Sequence, residues 1–334
     1  MCESPGPVEP CGVCAPCKSV LKLQHPDVHW FFPMPRPKVS GGQDKMADAL
    51  EEARAEELEY RRAHPLRAST PSETVGIFVA HVQTLRRLAI NRPAMANRKI
   101  FIIGDAENLV PQEASPEAAN ALLKVLEEPP ADTTFILTAA DSESLLPTIK
   151  SRVLPMRVQP LPVELVERVL VQHAQADPKQ ARLAARLSQG SIGRALAFLP
   201  ADGEPGPLEA LRQEARALLA AATSPNPAPR LSAAHALPPS GARGAFMDTL
   251  DFLAMWVRDL AAAAEGADDL IVNADATKWL KELAARHPGA ARGAAVAVHE
   301  IEATRGLTTF NINPQLALAV LLRQVHHSLG NGKS

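Results

Sequence analysis

The chain has 334 residues, of which 46% are hydrophobic, 22% are charged and 4% are aromatic, and its formal net charge is −2. This length predicts about two or three domains, each with enough apolar residues for a core. The near-neutral charge excludes a strong long-range attraction to nucleic acid, and the few aromatic residues argue against a stacking surface for single strands. No apolar run is long enough for a membrane span and no secretory pattern begins the chain, so we expect a cytoplasmic protein.

All the cysteines of the chain lie close to its beginning, at Cys2, Cys11, Cys14 and Cys17, with the spacing C-x8-C-x2-C-x2-C. Thiolates are soft ligands that suit Zn²⁺, and four of them complete a tetrahedral site with no open position for catalysis. Free thiols and disulfides are the alternatives, but clustered cysteines in a reducing compartment favour a metal. The sequence therefore predicts one structural zinc ion that orders this loop.

Strands and helices alternate in the first half of the chain. Short apolar runs bounded by polar residues predict buried strands, and apolar residues at helical spacing predict helices. The predicted strands are 25–32, 99–105, 133–140 and 153–160, and the predicted helices are 18–24, 44–65, 74–88, 116–130 and 144–152. The insertion 33–73 is predicted to be a mobile loop with one helix. The alternation indicates an α/β domain with a parallel sheet.

After Pro160 the pattern predicts helices only. Leu- and Val-rich segments in 161–199 are interrupted by SQGSIGR, and the composition of PADGEPGP predicts a linker. Ala- and Leu-rich helices follow to the end. We therefore predict three domains, with bounds 1–160, 161–203 and 204–334.

The stretches NALLKVLEEPP and FILTAADSESLLPTIKSR resemble the clamp-loader branch of the AAA+ ATPases. The cysteine spacing is similar to that of the zinc module of bacterial DNA polymerase III clamp-loader subunits, both γ/τ and δ′. The tail NINPQLALAVLLRQV is similar to the end of the δ′ collar domain. The resemblance covers nearly the whole chain. It implies an α/β AAA+ core with an inserted zinc module, a small helical lid domain and a C-terminal all-α collar domain.

In that family a first strand and a phosphate loop precede the zinc module, whereas no G-x4-G-K-[ST] occurs in this sequence. The first strand is central in the family sheet, and its removal would leave unpaired backbone groups beside buried strands. We therefore expect that the recorded sequence lacks an N-terminal segment. Loss of that segment from the protein itself is the alternative.

The residues of the home nucleotide site depart from the family pattern. A working ATPase of the family ends a strand in apolar-apolar-D-E-x-H, where one acid holds Mg²⁺ and the next activates water. Here the strand reads FIIGDAENL, so those positions fall on Gly104 and Asp105 or, shifted by one, on Asp105 and Ala106. The γ-phosphate sensor falls near Ala139 and Ala140. The resemblance therefore implies a degenerate site, in which Asp105 remains a candidate nucleotide-binding residue.

Two arginines match other family motifs. The tripeptide SRV, with Ser151 and Arg152, matches S-R-C, so the resemblance implies that Arg152 is an arginine finger that reaches the ATP of a neighbouring subunit. A structural arginine is the alternative. GSIGRA resembles the second sensor motif and makes Arg194 a candidate for the home nucleotide site, with a structural role equally open. Glu127 and Glu128, adjacent at a predicted helix end, favour interface or turn geometry over acid–base chemistry.

An intact finger beside a damaged home site is typical of δ′-type subunits. The resemblance implies a stator without an ATPase of its own, which supports ATP-dependent loading of the sliding clamp onto primed DNA in a ring with γ/τ and δ subunits. Zn²⁺ would be its own cofactor, ATP would bind only at the neighbouring subunit, and no membrane would be involved. The alternative is a γ/τ-type motor whose phosphate loop is missing from the recorded sequence. A zinc-binding scaffold unrelated to replication is a third hypothesis.

Overall fold

The computed structural model describes residues 1–39, 42–65, 75–109, 117–140, 143, 145–201, 203–237, 243–307 and 312–330. These residues form two compact units, one that ends at Arg157 and one that begins at Val158. The first unit is α/β and the second is all-helical. No helix among the described residues is both long and apolar enough to cross a membrane.

The first unit contains a parallel sheet with the strand order β1-β4-β5. Its strands and those of a small antiparallel pair are β1 (Val28–Phe31), β2 (Met34–Pro35), β3 (Val75–Gly76), β4 (Lys99–Ile103) and β5 (Thr133–Leu137). Its helices are α1 (Ala15–Leu21), α2 (Gln43–Ala63), α3 (Val79–Ile90), α4 (Glu117–Glu127) and α5 (Pro147–Lys150). The predicted parallel sheet is confirmed for three of the four predicted strands, since Val28 pairs with Ile100 and Ile100 pairs with Thr134.

The core of the first unit forms where α3 and α4 pack on the sheet. Phe101 and Ile103 of β4 are buried beneath Val82 and Leu85 of α3 and Leu122 of α4. The buried positions of α3 recur at three- and four-residue intervals, which is the helical spacing that the sequence shows. Burial of apolar side chains on both elements stabilises this packing.

The predicted strand 153–160 is wrong, because no strand is formed there. Leu154, Met156 and Val158 alternate as the pattern suggests, but they are exposed at 95%, 86% and 86%. Pro155 and Pro160 lack the backbone N–H that a ladder needs, and no described strand lies alongside the segment to pair with it.

The insertion 33–73 is closed at its base by the pairing of β2 with β3. Its helix α2 is confirmed, and Leu50 of α2 is buried with Phe32, Met34 and Ala80. The guanidinium of Arg61 lies 4.1 Å from the ring centroid of Phe32, a cation–π contact that adds to the apolar packing. The described part of the insertion is thus a packed helix; the predicted mobility of its loop also concerns residues 40–41 and 66–73, which lie outside the described residues.

Two buried charged residues fix the connection between α3 and β4. The carboxylate of Asp27 accepts hydrogen bonds from the backbone N–H groups of Ala94, Met95 and Ala96 at 2.6–2.8 Å. Burial would raise the pKa of this carboxyl, but the three backbone donors outweigh it and lower the pKa. The Nζ of Lys99 donates to the carbonyl of Leu88 at 2.8 Å and also to the carbonyls of Ala89 and Asn91, at and just beyond the end of α3.

The second unit consists of nine described helices around one core. They are α6 (Val163–His173), α7 (Pro178–Leu187), α8 (Ile192–Phe198), α9 (Pro207–Thr223), α10 (Ala228–Ala236), α11 (Arg243–Ala264), α12 (Thr277–Arg286), α13 (Ala290–Leu307) and α14 (Pro314–Gly330). Phe198 of α8 packs edge-on against Phe252 of α11, with ring centroids 5.7 Å apart. The helices predicted as lid and those predicted as collar therefore share a continuous core in the described residues; their division at residue 203 stays a prediction.

Arg212 of α9 organises the polar interior of this unit. Its side chain is 1% exposed and donates to the carboxylates of Glu209 and Asp275 and to the amide oxygen of Asn273, at 2.7–3.0 Å. Burial opposes the charge, but these partners outweigh it and raise the pKa of the guanidinium. The backbone carbonyl of Arg212 accepts the indole N–H of the buried Trp256 at 3.0 Å.

Candidate functional site

The four cysteines converge as their spacing predicted. Their Sγ atoms all lie within 4.8 Å of one another, with 4.0 Å between those of Cys11 and Cys17. Gly12, between Cys11 and the helix, has φ of +70°, so the chain turns sharply there at a residue without a Cβ. α1 begins directly after Cys14 and carries the buried Cys17.

Backbone N–H groups are directed at two of the sulfurs. The N–H of Cys11 donates to Sγ of Cys2, and the N–H of Cys14 donates to Sγ of Cys11, both at 3.4 Å. These backbone hydrogen bonds are the main cause of the lowered pKa of Cys2 and of Cys11, because they stabilise the thiolate. Thiolates are the form of cysteine that binds metal.

The cluster fits a tetrahedral zinc ion. A zinc centre with Zn–S bonds of about 2.3 Å separates its sulfurs by about 3.8 Å, which is within the spread of the cluster. Cys2, Cys11, Cys14 and Cys17 would hold the ion, and four sulfur ligands would leave it no open position. The geometry thus suits a structural role.

The second site is the carboxyl end of β4, where the sequence places the degenerate acid pair. Gly104 continues the strand and donates its N–H to the carbonyl of Phe31 at 2.8 Å. Asp105 follows in the left-handed region with φ of +46°, which aspartate tolerates better than most residues. The backbone N–H of Asp105 donates to Oγ1 of Thr138 at 3.2 Å, and Asp105 is exposed. One carboxylate is therefore presented to solvent at this strand end.

Sequence reasoning missed two side chains at this strand end. A Cβ added to Gly104 would lie 3.1 Å from Nε1 of Trp30, and that nitrogen is buried with no hydrogen-bond partner among the described residues. The carboxylate of Glu107 accepts a hydrogen bond from the backbone N–H of Ala140 at 3.2 Å. Glu107 therefore contacts the segment where the sequence predicted the γ-phosphate sensor. No local pattern marks either contact, since each joins residues far apart in the chain.

The third site is the end of α5, with Ser151 and Arg152. Nε of Arg152 donates to Oε1 of Glu127 at 2.8 Å, and Nη2 donates to the same oxygen. Nη1 donates to the carbonyl of Thr148 at 2.8 Å and to Oγ of Ser151 at 3.2 Å. The side chain of Arg152 is 31% exposed. The guanidinium is thus at the surface but held by its own unit.

Arg194 lies at the start of α8 in the second unit. Ser191 caps this helix, its Oγ accepting the backbone N–H of Arg194 at 3.3 Å. Nε of Arg194 is buried and has no hydrogen-bond partner among the described residues. Burial raises the pKa of Asp248 on α11, and the positive charges of Arg194 and Arg305 partly offset that rise. Within its unit, the charge of Arg194 thus acts on the carboxyl of Asp248, and its assignment to the home nucleotide site stays a prediction.

Two family models match most of the chain. The model described as "DNA polymerase III, delta subunit" matches residues 1–162, and the model described as "DNA polymerase III, delta subunit, C terminal" matches residues 213–327. Together with the three-stranded parallel sheet and the C-terminal helical region of the described residues, these matches indicate a DNA polymerase III subunit.

The curated relatives indicate which subunit type this is. DNA polymerase III subunit delta′ of Escherichia coli is 28% identical over 202 residues, 60% of this chain and 48% of that protein. The delta′ subunit of Bacillus subtilis is 27% identical over 183 residues, 55% of this chain and 42% of that protein. The tau subunit of Salmonella typhimurium is 34% identical over 111 residues, but these are only 32% of this chain and 16% of that protein. The chain belongs to the δ′-type clamp-loader subunits, and its matched region spans less than half the length of these relatives.

Proposed function

We propose that the chain is a stator in the replicative clamp loader. It would support ATP-dependent loading of the sliding clamp onto primed DNA without hydrolysing ATP itself. Family membership supports the clamp-loader context. The observation that carries the stator assignment is the end of β4, where Gly104, one of the two candidate positions of the metal-binding acid, lies against Trp30.

Among the described residues, the strand end presents one exposed carboxylate rather than the pair of acids that ATP hydrolysis uses. Asp105 is exposed, and the other nearby carboxylate, Glu107, accepts a backbone N–H instead. A hydrolytic site needs one acid for Mg²⁺ and a second that activates the attacking water. Because Asp105 offers the one exposed carboxylate in the described part of this strand end, this chain would bind to neighbouring ATPase subunits rather than act as one.

Arg152 would be the contribution of this chain to hydrolysis. Its guanidinium is always charged and forms a planar fork that matches phosphate oxygens, and it lies partly exposed at the end of α5. We propose that it contacts the ATP of a γ/τ neighbour in a ring that also contains δ. The four cysteines would hold a structural Zn²⁺ in the same unit.

Purified chain, tested for ATP turnover, separates the stator from the γ/τ-type motor. We expect no turnover above background from the wild-type chain. Turnover that co-purifies with the chain and disappears in Asp105→Ala, but not in Asp132→Ala, would establish the motor instead. Asp132 is a matched control because it is also exposed and also has a positive φ, of +57°.

The finger is tested in a ring reconstituted with the partner subunits. Arg152→Ala should leave assembly intact and lower clamp-stimulated ATPase and clamp loading, and Arg152→Lys should rescue poorly because an ammonium lacks the fork. A finger is worth about 10³–10⁵ in rate in well-studied cases, but the other active sites of the ring will limit the total loss. Arg87→Ala removes an exposed arginine from α3 and serves as the control. Wild-type loading by Arg152→Ala rings would reject the finger.

A further inference from the structure

All three guanidinium nitrogens of Arg152 are engaged within its own unit. Nε and Nη2 converge on Oε1 of Glu127, while Nη1 donates to the carbonyl of Thr148 and to Oγ of Ser151. Among the described residues, only one of the five N–H groups has no acceptor, so a phosphate could not receive a fork from this arrangement. For Arg152 to bind phosphate in that way, the contact with Glu127 must break.

Glu127 is held in place by the end of its helix. It is the last residue of α4, and Pro129 and Pro130 follow closely, so the helix cannot continue past it. Arg152 lies two residues beyond α5, which packs on α4. The two side chains thus meet at the ends of two packed helices, 25 residues apart in sequence.

The ion pair is exchangeable because it is not buried. Its side chains are 31% and 46% exposed, and ion pairs with this exposure contribute little net stability. Carboxylate and phosphate oxygens are alternative acceptors for the same two-pronged guanidinium geometry. A phosphate that approaches from a neighbouring subunit can therefore replace Glu127 without disturbing either helix.

We infer that Glu127 is a positioning residue that holds Arg152 in a parked conformation until the ring brings a nucleotide phosphate to it. The inference rests on the proposed finger role of Arg152. In this arrangement the carboxylate competes with the γ-phosphate of the neighbour's ATP for the guanidinium. Glu127 therefore sets how readily the neighbouring site closes on ATP, and it takes no part in the chemistry.

Glu127→Gln tests this inference in rings reconstituted from full-length subunits. The substitution keeps the size of the side chain and removes its charge. We expect it to lower the KM for ATP of the stimulated ATPase by about two- to fivefold, the range that corresponds to an exposed ion pair, with little change in kcat. Glu128→Gln is the matched control, since it makes the same change at the next residue. Glu128 is also exposed, but the acceptor of the Arg152 hydrogen bond is Glu127.

The double variant Arg152→Ala with Glu127→Gln separates the positioning role of Glu127 from the finger role of Arg152. If Glu127 acts only through Arg152, the double variant will match Arg152→Ala alone. An unchanged or raised KM in Glu127→Gln, with Arg152→Ala still impaired, would overturn the parked conformation and leave the finger in place. Full activity of Arg152→Ala would instead reject the finger itself, on which the inference rests.

Exchange of the Arg152 Nε proton, measured by NMR in the free chain, gives a readout that does not depend on assembly. We expect protection in the wild type and in Glu128→Gln, and faster exchange in Glu127→Gln. Equal exchange rates in all three proteins would show that Glu127 does not hold the guanidinium in solution, and the inference would fail.

Discussion

The contact between α13 and α14 has no room for a side chain at Gly293. A Cβ added there would lie 1.9 Å from the backbone carbonyl oxygen of Ser328, whereas ordinary contact begins at 3.4 Å. In Gly293→Ala the two helices must therefore separate by about 1.5 Å, because a backbone oxygen cannot rotate away as a side chain can. The separation loosens the packing of Val325 and Leu329, which are 0% and 1% exposed.

The expected loss of stability is set by two opposing effects. Forcing an extra carbon into a packed interior costs about 1–3 kcal/mol. Replacing a helical glycine by alanine returns about 0.5–1 kcal/mol, because glycine loses more backbone freedom on folding. Gly306→Ala, near the end of the same helix, meets no described atom within 4 Å and experiences only the second effect. The difference between the two variants therefore isolates the steric cost, about 1–3 kcal/mol.

Urea unfolding followed by tryptophan fluorescence measures this difference. Trp256 and Trp279 pack together in the second unit, and a Trp30→Phe background removes the signal of the first unit. We expect the midpoint of Gly293→Ala to fall below that of the parent and the midpoint of Gly306→Ala to stay level or rise. Equal midpoints for the two variants would refute the close helix contact.

Three further predictions concern the metal cluster, the buried histidine and the buried arginine. Cys14→Ser should abolish stoichiometric zinc binding in metal analysis of reduced protein and loosen residues 2–20, while the second unit keeps its helical circular dichroism. Burial lowers the pKa of His81 to about 4, so below the unfolded pKa of about 6.5 the unfolded chain binds a proton that the folded chain excludes. The free energy of unfolding of the first unit should therefore fall by about 2 kcal/mol between pH 7.5 and 5. Urea midpoints read from Trp30 that do not change over this range would contradict this prediction. Arg212→Met removes the donor that Glu209, Asn273 and Asp275 share, although Glu209 keeps the amide of Gln213, and should cost about 2–4 kcal/mol. Arg216→Met, which loses a cation–π contact with Trp279, should cost about 1 kcal/mol.

Local patterns predicted the sheet and the cysteine cluster because both are written in short stretches of sequence. The apolar runs around Phe31, Phe101 and Phe135 each form a strand of the sheet. The predicted burial is wrong for the run around Phe135, because no residue of β5 is buried. The C-x2-C repeats place cysteines so close in the sequence that their sulfur atoms lie near one another in space. At 153–160 the same reasoning failed, because alternation describes a strand but does not supply the neighbour with which it must pair.

Contacts over long sequence separations could not be predicted in this way. Asp27 was assigned to a strand region, but its carboxylate fixes a loop 67–69 residues away. Trp30 and Gly104 meet only because β1 and β4 are neighbours in the sheet. Glu127 and Glu128 looked equivalent in the sequence, and only the packing of α4 on α5 distinguishes the one that binds Arg152.

The packing at the end of β4 also bears on whether an acid could be introduced at Gly104, one of the two positions proposed for the metal-binding acid. An aspartate at position 104 would begin 3.1 Å from the indole nitrogen of Trp30, so the ring must give way slightly before the side chain fits. The unpaired indole N–H would then be the nearest donor to the new carboxylate and would compete with a metal ion for it. Asp105, in its left-handed conformation, is held through its backbone: its N–H donates to Oγ1 of Thr138 and its carbonyl accepts from Asn108, whereas no described residue donates a hydrogen bond to its carboxylate. In the register that uses Gly104 and Asp105, an acid pair therefore requires a change at Trp30 together with the change at Gly104, which no single substitution supplies.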